Sequence, residues 1–154
     1  MRNSKQPSVF GLRLFTGPQI TDRLRLSLAK RLRKEDLSEE AQAMVLMAIE
    51  EVVGNITENG YGGKQGQPIS LWFRRLPDKR LELSLWDRAE GMPSYFVTPE
   101  KNDALVLYPQ RPLAEMLTAE LDHRVRAGGG NVVTMLFDPG QLERCVDGHL
   151  REAA

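Results

Sequence analysis

Three polar side chains recur at intervals of four along one segment of the chain: Glu51, Asn55 and Asn59. On a helix, a step of four residues turns by about 40°, so the three side chains share one slowly rotating stripe. A second polar cluster ends an alternating apolar strand, where Asp87 stands shortly before Gly91. A carboxylate and two amides on a helix, facing an aspartate at a strand end, could hold a metal-bound polyphosphate and a base.

One strand and two helices are predicted to carry the first cluster. Apolar residues predict a strand over 8–15, and a Gly-Pro pair at 17–18 ends it. A first helix, with an N-cap at 21–22, is predicted from leucines at 24, 28 and 32. Ser38, followed by two glutamates, predicts the N-cap of a second helix, which has a broad apolar face and ends within 59–63.

The second half of the chain is predicted to be largely strand. Strands over 69–76 and 81–86 form a hairpin, a long irregular stretch covers 88–108, and a short helix covers 113–121. A closing hairpin pairs 124–126 with 132–137 about three glycines at 128–130. The order predicts one domain over 1–154, with a flexible lead-in at 1–7 and a C-terminal helical extension at 139–154. Its fold class is a two-layer α/β sandwich, a mixed, mostly antiparallel sheet with helices on one face.

Composition restricts the partners and the compartment. Lys+Arg and Asp+Glu are both 21, so no overall field favours nucleic acid or an anionic membrane. No apolar run approaches the roughly 20 residues of a membrane span. The single cysteine, Cys145, forms no internal disulfide and fits a reducing cytoplasm. The two histidines, His123 and His149, have no partner at a useful spacing and are expected on the surface.

The segment from Glu51 to Tyr61 carries a family resemblance. It resembles the first motif, Glu-x-x-x-Asn-x-x-x-(His/Lys)-x-Tyr, of the ATP-binding domain shared by gyrase, the heat-shock chaperone, histidine kinases and mismatch-repair ATPases. Glu51, Asn55, Asn59 and Tyr61 match in register. The chain looks most similar to bacterial anti-sigma-factor serine/threonine kinases. The resemblance extends to about Phe137 and implies the Bergerat-type ATP-binding fold.

Two further motifs of that superfamily are incomplete. The second is Asp-x-Gly-x-Gly, of which Asp87 and Gly91 are present, while Ala89 replaces the middle glycine. The third is a glycine-rich turn that binds phosphates before the last helix. Aligned on the apolar pattern of that helix, it falls at 110–114, where no glycine occurs and Pro112 lacks a donor. Arg111 could supply a compensating charge.

The resemblance implies a role for each matched residue. Glu51 would polarise the attacking hydroxyl or water, and Asn55 would coordinate Mg²⁺ through its amide oxygen. Asp87 would accept a hydrogen bond from the adenine amino group, and Gly91 would let the backbone approach the base closely. Asn59 would lie near the phosphates of ATP, without the positive charge that the family often has there.

Two functions remain open on this evidence. The first is a regulatory serine/threonine kinase that binds ATP and Mg²⁺, phosphorylates a small antagonist protein and sequesters a sigma factor or similar target. The second is a non-catalytic protein-interaction module on the same fold, which the missing glycines favour. A homodimer, and closure of the 94–108 loop over a nucleotide, are also left open.

Overall fold

The computed structural model describes residues 9–90 and 113–153, with side chains as far as 148. Its strands are β1 (Phe10–Phe15), β2 (Pro68–Arg75), β3 (Leu81–Asp87), β4 (Glu120–Val125) and β5 (Asn131–Phe137). Its α-helices are α1 (Ile20–Leu32), α2 (Glu39–Asn55), α3 (Leu113–Leu117) and α4 (Pro139–Ala153). A π-helical turn, Ile56–Gly60, extends α2. No helix in this part of the chain is long and apolar enough to cross a membrane.

The five strands form one sheet in the order β1-β2-β3-β5-β4, and every pairing between these neighbours is antiparallel. Alternate side chains point to opposite faces of a strand, so β2, β3 and β5 each contribute a buried row. On β3 that row is Leu81, Leu83 and Leu85, as the sequence predicts. The helices supply the other half of the core, with buried residues on all four. The predicted fold class, a two-layer α/β sandwich, is confirmed.

The two helix starts differ in how well the sequence predicts them. Ser38 is the N-cap of α2, because its hydroxyl oxygen accepts a hydrogen bond from the N–H of Ala41 at 3.1 Å. The predicted cap at 21–22 is wrong: α1 begins at Ile20, and its N-cap Gln19 makes no side-chain capping bond. The N–H of Ile20 bonds to the carbonyl of Gly17 at 3.2 Å, so the chain already turns into the helix before that point.

The short helix near the end of the chain is shorter than predicted, and the following strand is longer. α3 ends at Leu117, and β4 pairs with β5 from Glu120 onward. The alternation of 120–125 suits a half-buried strand, and pairing with the buried strand β5 overrides the local helical pattern. The lead-in at 1–7 and the stretch 91–108 lie outside the described residues.

Candidate functional site

The side chain of Asp87, at the end of β3, is the most unusual polar group in the described part of the chain. Asp87 is 1% exposed. Its Oδ1 accepts hydrogen bonds from the N–H of Ala89 at 2.8 Å and from the N–H and Nδ2 of Asn131 at 3.2 and 3.1 Å. Its Oδ2 is buried and has no hydrogen-bond partner among the described residues. Oδ1 therefore accepts three hydrogen bonds, whereas Oδ2 is a buried acceptor without a donor among the described residues.

Burial raises the pKa of the Asp87 carboxyl above its ordinary value. The N–H donors of Ala89 and Asn131 and the nearby His123 act in the opposite direction, since they favour the charged form. A buried acceptor without a donor costs about 1–3 kcal/mol. A ligand that brings an N–H donor to Oδ2 would recover this free energy.

Asn131 orients the Asp87 carboxylate, and His123 contacts Asn131 in turn. The ring Nε2 of His123 lies 2.8 Å from the amide oxygen of Asn131. With that oxygen facing the ring, the amide Nδ2 faces Asp87. His123 is half-buried, so the expectation that it is a surface group without a partner is wrong.

The Tyr61 hydroxyl joins the end of α2 to the end of the β2–β3 ladder. That ladder closes at the pair Ile69↔Asp87. One residue further, the Tyr61 hydroxyl donates to the carbonyl of Pro68 at 2.6 Å and accepts from the N–H of Arg88 at 2.8 Å. Tyr61 thus bridges the two strands where direct pairing stops, and it fixes the backbone next to Asp87. Burial raises the pKa of this phenol, which keeps it a donor.

The turn between β4 and β5 supports Asp87 from the other side. The three glycines form the predicted hairpin turn, in which the N–H of Arg126 bonds to the carbonyl of Gly130 at 2.9 Å. Gly130 also packs against β3: a β-carbon there would lie 2.1 Å from the backbone oxygen of Asp87. The Arg126 guanidinium donates to that same oxygen at 2.9 Å. Ala89 and Asn131, the donors to Asp87, line an open groove of about 580 Å³ beside this turn.

The predicted catalytic residue Glu51 is half-buried on α2 and contacts the start of α3. Its carboxylate accepts hydrogen bonds from the N–H of Leu113 at 3.1 Å and of Ala114 at 3.4 Å. These two amides belong to the segment that the sequence alignment assigned to the phosphate-binding turn. In the structure, part of that turn is bound by a carboxylate of the chain itself. The role of Glu51 in activating a nucleophile stays a prediction.

Asn55 ends α2, and Asn59 lies four residues further on, within the π-helical turn. The amide of Asn59 donates to the side-chain oxygen of Asn55 at 3.3 Å; Asn55 is half-buried and Asn59 is exposed. The turn is closed by the N–H of Tyr61, which bonds to the carbonyl of Ile56 at 2.9 Å. The left-handed backbone that ends the element occurs at 62–63, with φ of 62° and 77°, within the predicted range 59–63.

The remaining predicted site residues, Gly91 and Arg111, lie outside the described residues. Across 9–90 and 113–148, no group of three or more His, Cys, Asp or Glu side chains could hold a metal ion. The predicted Mg²⁺ ligand Asn55 is an amide and is not part of such a group. Its role, like those of Asn59, Gly91 and Arg111, stays a prediction.

Sequence reasoning missed Gly130, Asn131 and His123 as parts of the site. One available signal was the run of three glycines directly before a polar residue at the start of an apolar strand. The loop itself spans 127–129 between the bonded Arg126 and Gly130, so the third glycine lies just outside it and indicates a positive φ or the close approach of another backbone. Nothing local in the sequence connects His123 with Asp87.

We expect Gly130→Ala to damage the fold more than Gly128→Ala. Both glycines have positive φ, 94° and 88°, so both substitutions strain the backbone. Only at Gly130 does a β-carbon also meet Asp87, because no atom lies within 4 Å of one at Gly128. Such overpacking should lower the free energy of unfolding by about 1–3 kcal/mol more for Gly130→Ala, measured by urea denaturation. Equal losses in the two variants would show that Gly130 does not support Asp87.

A family model describes most of this chain. Residues 18–137 match the histidine kinase-like ATPase domain. That range begins just before α1 and ends with β5, so it contains Glu51, Asn55 and Asp87. No curated protein matches the sequence significantly.

A solved structure shares the fold. The crystal structure of the RsbU and RsbW domains of Rv1364c from Mycobacterium tuberculosis superposes with a TM-score of 0.60 at 20% sequence identity. The match covers 84% of this chain and 32% of the other, so this chain corresponds to about a third of that protein. At this identity the likeness establishes the fold alone. With the family model covering α1 to β5, the chain belongs to the histidine kinase-like ATPase domain family.

Proposed function

We propose that this chain is an ATP-binding regulatory domain that phosphorylates a serine or threonine on a small antagonist protein. In this proposal the domain alternates between that antagonist and a sigma factor or similar regulatory target. The observation that carries the nucleotide part is the free Oδ2 of Asp87. Membership of an ATPase family and the fold shared with a protein that has an RsbW domain support the regulatory part.

The base end of the proposed site fits adenine. Asp87 Oδ2 is an acceptor with no partner among the described residues, and the exocyclic amino group of adenine is a donor. Asn131 holds Oδ1 with two donors, which leaves Oδ2 to read the ligand. If the base carried a carbonyl oxygen at the same position, that oxygen and Asp87 Oδ2 would be two acceptors facing each other without a proton between them. The arrangement therefore favours adenine over a 6-oxo purine.

The phosphate end relies on residues around the end of α2 and the start of α3. Asn55 offers an amide oxygen suited to Mg²⁺, and Asn59 contacts it. Mg²⁺ would neutralise charge on the transferred phosphate. Gly91 and Arg111 would complete the site as the family resemblance implies. Glu51 would orient the hydroxyl of the protein substrate and accept its proton.

A specific observation favours the alternative, a non-catalytic interaction module with weak or lost ATP binding. Glu51 bonds to the N–H groups of Leu113 and Ala114, which on the aligned motif would face phosphate. A carboxylate in that position repels phosphate and satisfies the same donors. For the kinase, this contact must open when ATP binds.

We expect Asp87→Asn to weaken ATP binding about tenfold or more, because a hydrogen bond to a charged acceptor contributes about 1.5–3 kcal/mol. Calorimetric titration measures this affinity. The amide keeps an oxygen for Ala89 and Asn131, so the fold should survive. Asp122→Asn, an exposed aspartate on β4, is the matched control. Unchanged ATP affinity in Asp87→Asn would remove Asp87 from the site.

The same variant should change how stability depends on pH. Since burial raises the pKa of Asp87 in the folded state above its ordinary value of 3.8, the folded chain binds this proton more tightly than the unfolded chain. The contribution of the Asp87 carboxyl to the free energy of unfolding of the wild type is therefore greatest at pH values below the ordinary pKa, and it falls as the pH rises through the raised pKa. Relative to wild type, Asp87→Asn should gain stability between acid and neutral pH. A constant difference would contradict the raised pKa.

We expect Glu51→Ala to abolish phosphoryl transfer and to keep or tighten ATP binding, because it removes the proposed base and frees two backbone donors. Glu50→Ala is the matched control, since Glu50 pairs with Arg25 on an exposed part of α1. Binding is measured by calorimetry, and transfer by incorporation of label from γ-labelled ATP into a candidate antagonist protein. Equal turnover in wild type and Glu51→Ala would reject the catalytic role. No turnover in wild type would leave the interaction module as the better proposal.

A further inference from the structure

Both tryptophans of the chain lie on the face of the sheet that the helices leave uncovered. Trp72 on β2 and Trp86 on β3 are 48% and 37% exposed. Phe15 on β1 is 48% exposed and shares this face. Exposed large aromatic groups gathered on one face are typical of a binding surface rather than of random surface composition.

Three arginines surround the tryptophans. Arg13, Arg88 and Arg126 line one open groove of about 570 Å³ together with Trp72 and Trp86. No carboxylate of the described residues forms an ion pair with any of the three, whereas Arg74 and Arg124 are paired with Glu82 and Asp122. We call the groove defined by these five residues the outer groove. It therefore carries uncompensated positive charge.

The aromatic rings of the outer groove are held in place before any ligand binds. Trp72 lies across β1 at Gly11, where a β-carbon would come within 2.6 Å of the ring. The Trp86 ring donates from Nε1 to the Ser84 hydroxyl at 3.1 Å. The Arg126 guanidinium lies 5.0 Å from the Trp86 ring centroid, a cation–π distance. Preorganised rings lose little conformational entropy on binding.

We propose that the outer groove binds an extended, acidic segment of a partner protein that carries apolar side chains. The arginines match carboxylates in charge, and the tryptophan faces match alternating apolar side chains. Carboxylates of Glu120 and Asp122 line the neighbouring part of the same face, next to Trp86. Because Arg124 pairs with Asp122 there, the uncompensated positive charge is confined to the three arginines of the outer groove, which matches a short acidic protein segment better than a long polyanion. The proposal does not depend on ATP binding.

Tryptophan fluorescence tests the outer groove directly, because the chain has no tryptophan elsewhere. The probe is a short synthetic peptide of alternating glutamate and leucine, titrated into the full chain, with calorimetry for the affinity. A lysine–leucine peptide and an oligothymidylate are titrated in parallel. We expect saturable binding and a change in tryptophan emission with the acidic peptide only, weakened by added salt.

Charge reversal at the groove should separate a specific site from a general effect of net charge. Arg13→Glu should weaken peptide binding about tenfold, while Arg23→Glu on α1, with the same change in net charge, should leave it within about twofold. Trp72→Thr should also weaken binding. Absence of saturable binding, or equal losses in Arg13→Glu and Arg23→Glu, would overturn the proposal. Tighter binding of oligothymidylate than of the acidic peptide would assign the groove to nucleic acid. If the chain alone dimerises and its tryptophan emission changes as it does so, the groove is an interface with a second copy.

Discussion

The carboxylate of Asp87 is satisfied on one oxygen and open on the other, and the other features of the site depend on this asymmetry. Three N–H donors from Ala89 and Asn131 hold Oδ1, while Oδ2 has none among the described residues. An unsatisfied buried acceptor costs about 1–3 kcal/mol, which is a large fraction of the stability of a small domain. A ligand donor at Oδ2 offsets this cost. The chain therefore gives up stability at the position that we propose to recognise the base.

Elements that are distant in sequence maintain the asymmetry. Asn131 is 44 residues from Asp87 and reaches it because β5 pairs with β3. Tyr61 closes the end of the β2–β3 ladder, and Gly130 allows the backbone of the hairpin to contact that of β3. The contacts of Asn131 and Gly130 with Asp87 come from the sheet and its closing hairpin. By contrast, the contact of Glu51 with the start of α3 joins two helices by a carboxylate and two amides, which a competing anion could replace.

Local chemistry explains which parts could be predicted from the sequence. Three signals depend only on neighbouring residues: the alternation of Leu81, Leu83 and Leu85, the Ser38 cap and the spacing of the helical motif. Together they indicate the fold and place Asp87 at a strand end. The roles of Asn131 and His123 depend on strand register, which no local pattern encodes. The boundary between α3 and β4 was misplaced for the same reason, because pairing with β5 overrides the helical pattern. The N–H of Leu113, which Glu51 contacts, is 62 residues away in the sequence. The helical motif therefore predicted a nucleophile-activating carboxylate at Glu51 but not the contact of that carboxylate with α3.

The central claim is that the free oxygen of Asp87 reads an amino group on the nucleotide base. Comparing the affinities of the wild-type chain for ATP and for inosine triphosphate tests this claim most directly. The two nucleotides have the same phosphates and sugar, and inosine carries a carbonyl oxygen in place of the adenine amino group. We predict that ATP binds at least about tenfold more tightly, a difference of about 1.4 kcal/mol. Equal affinities would contradict the claim.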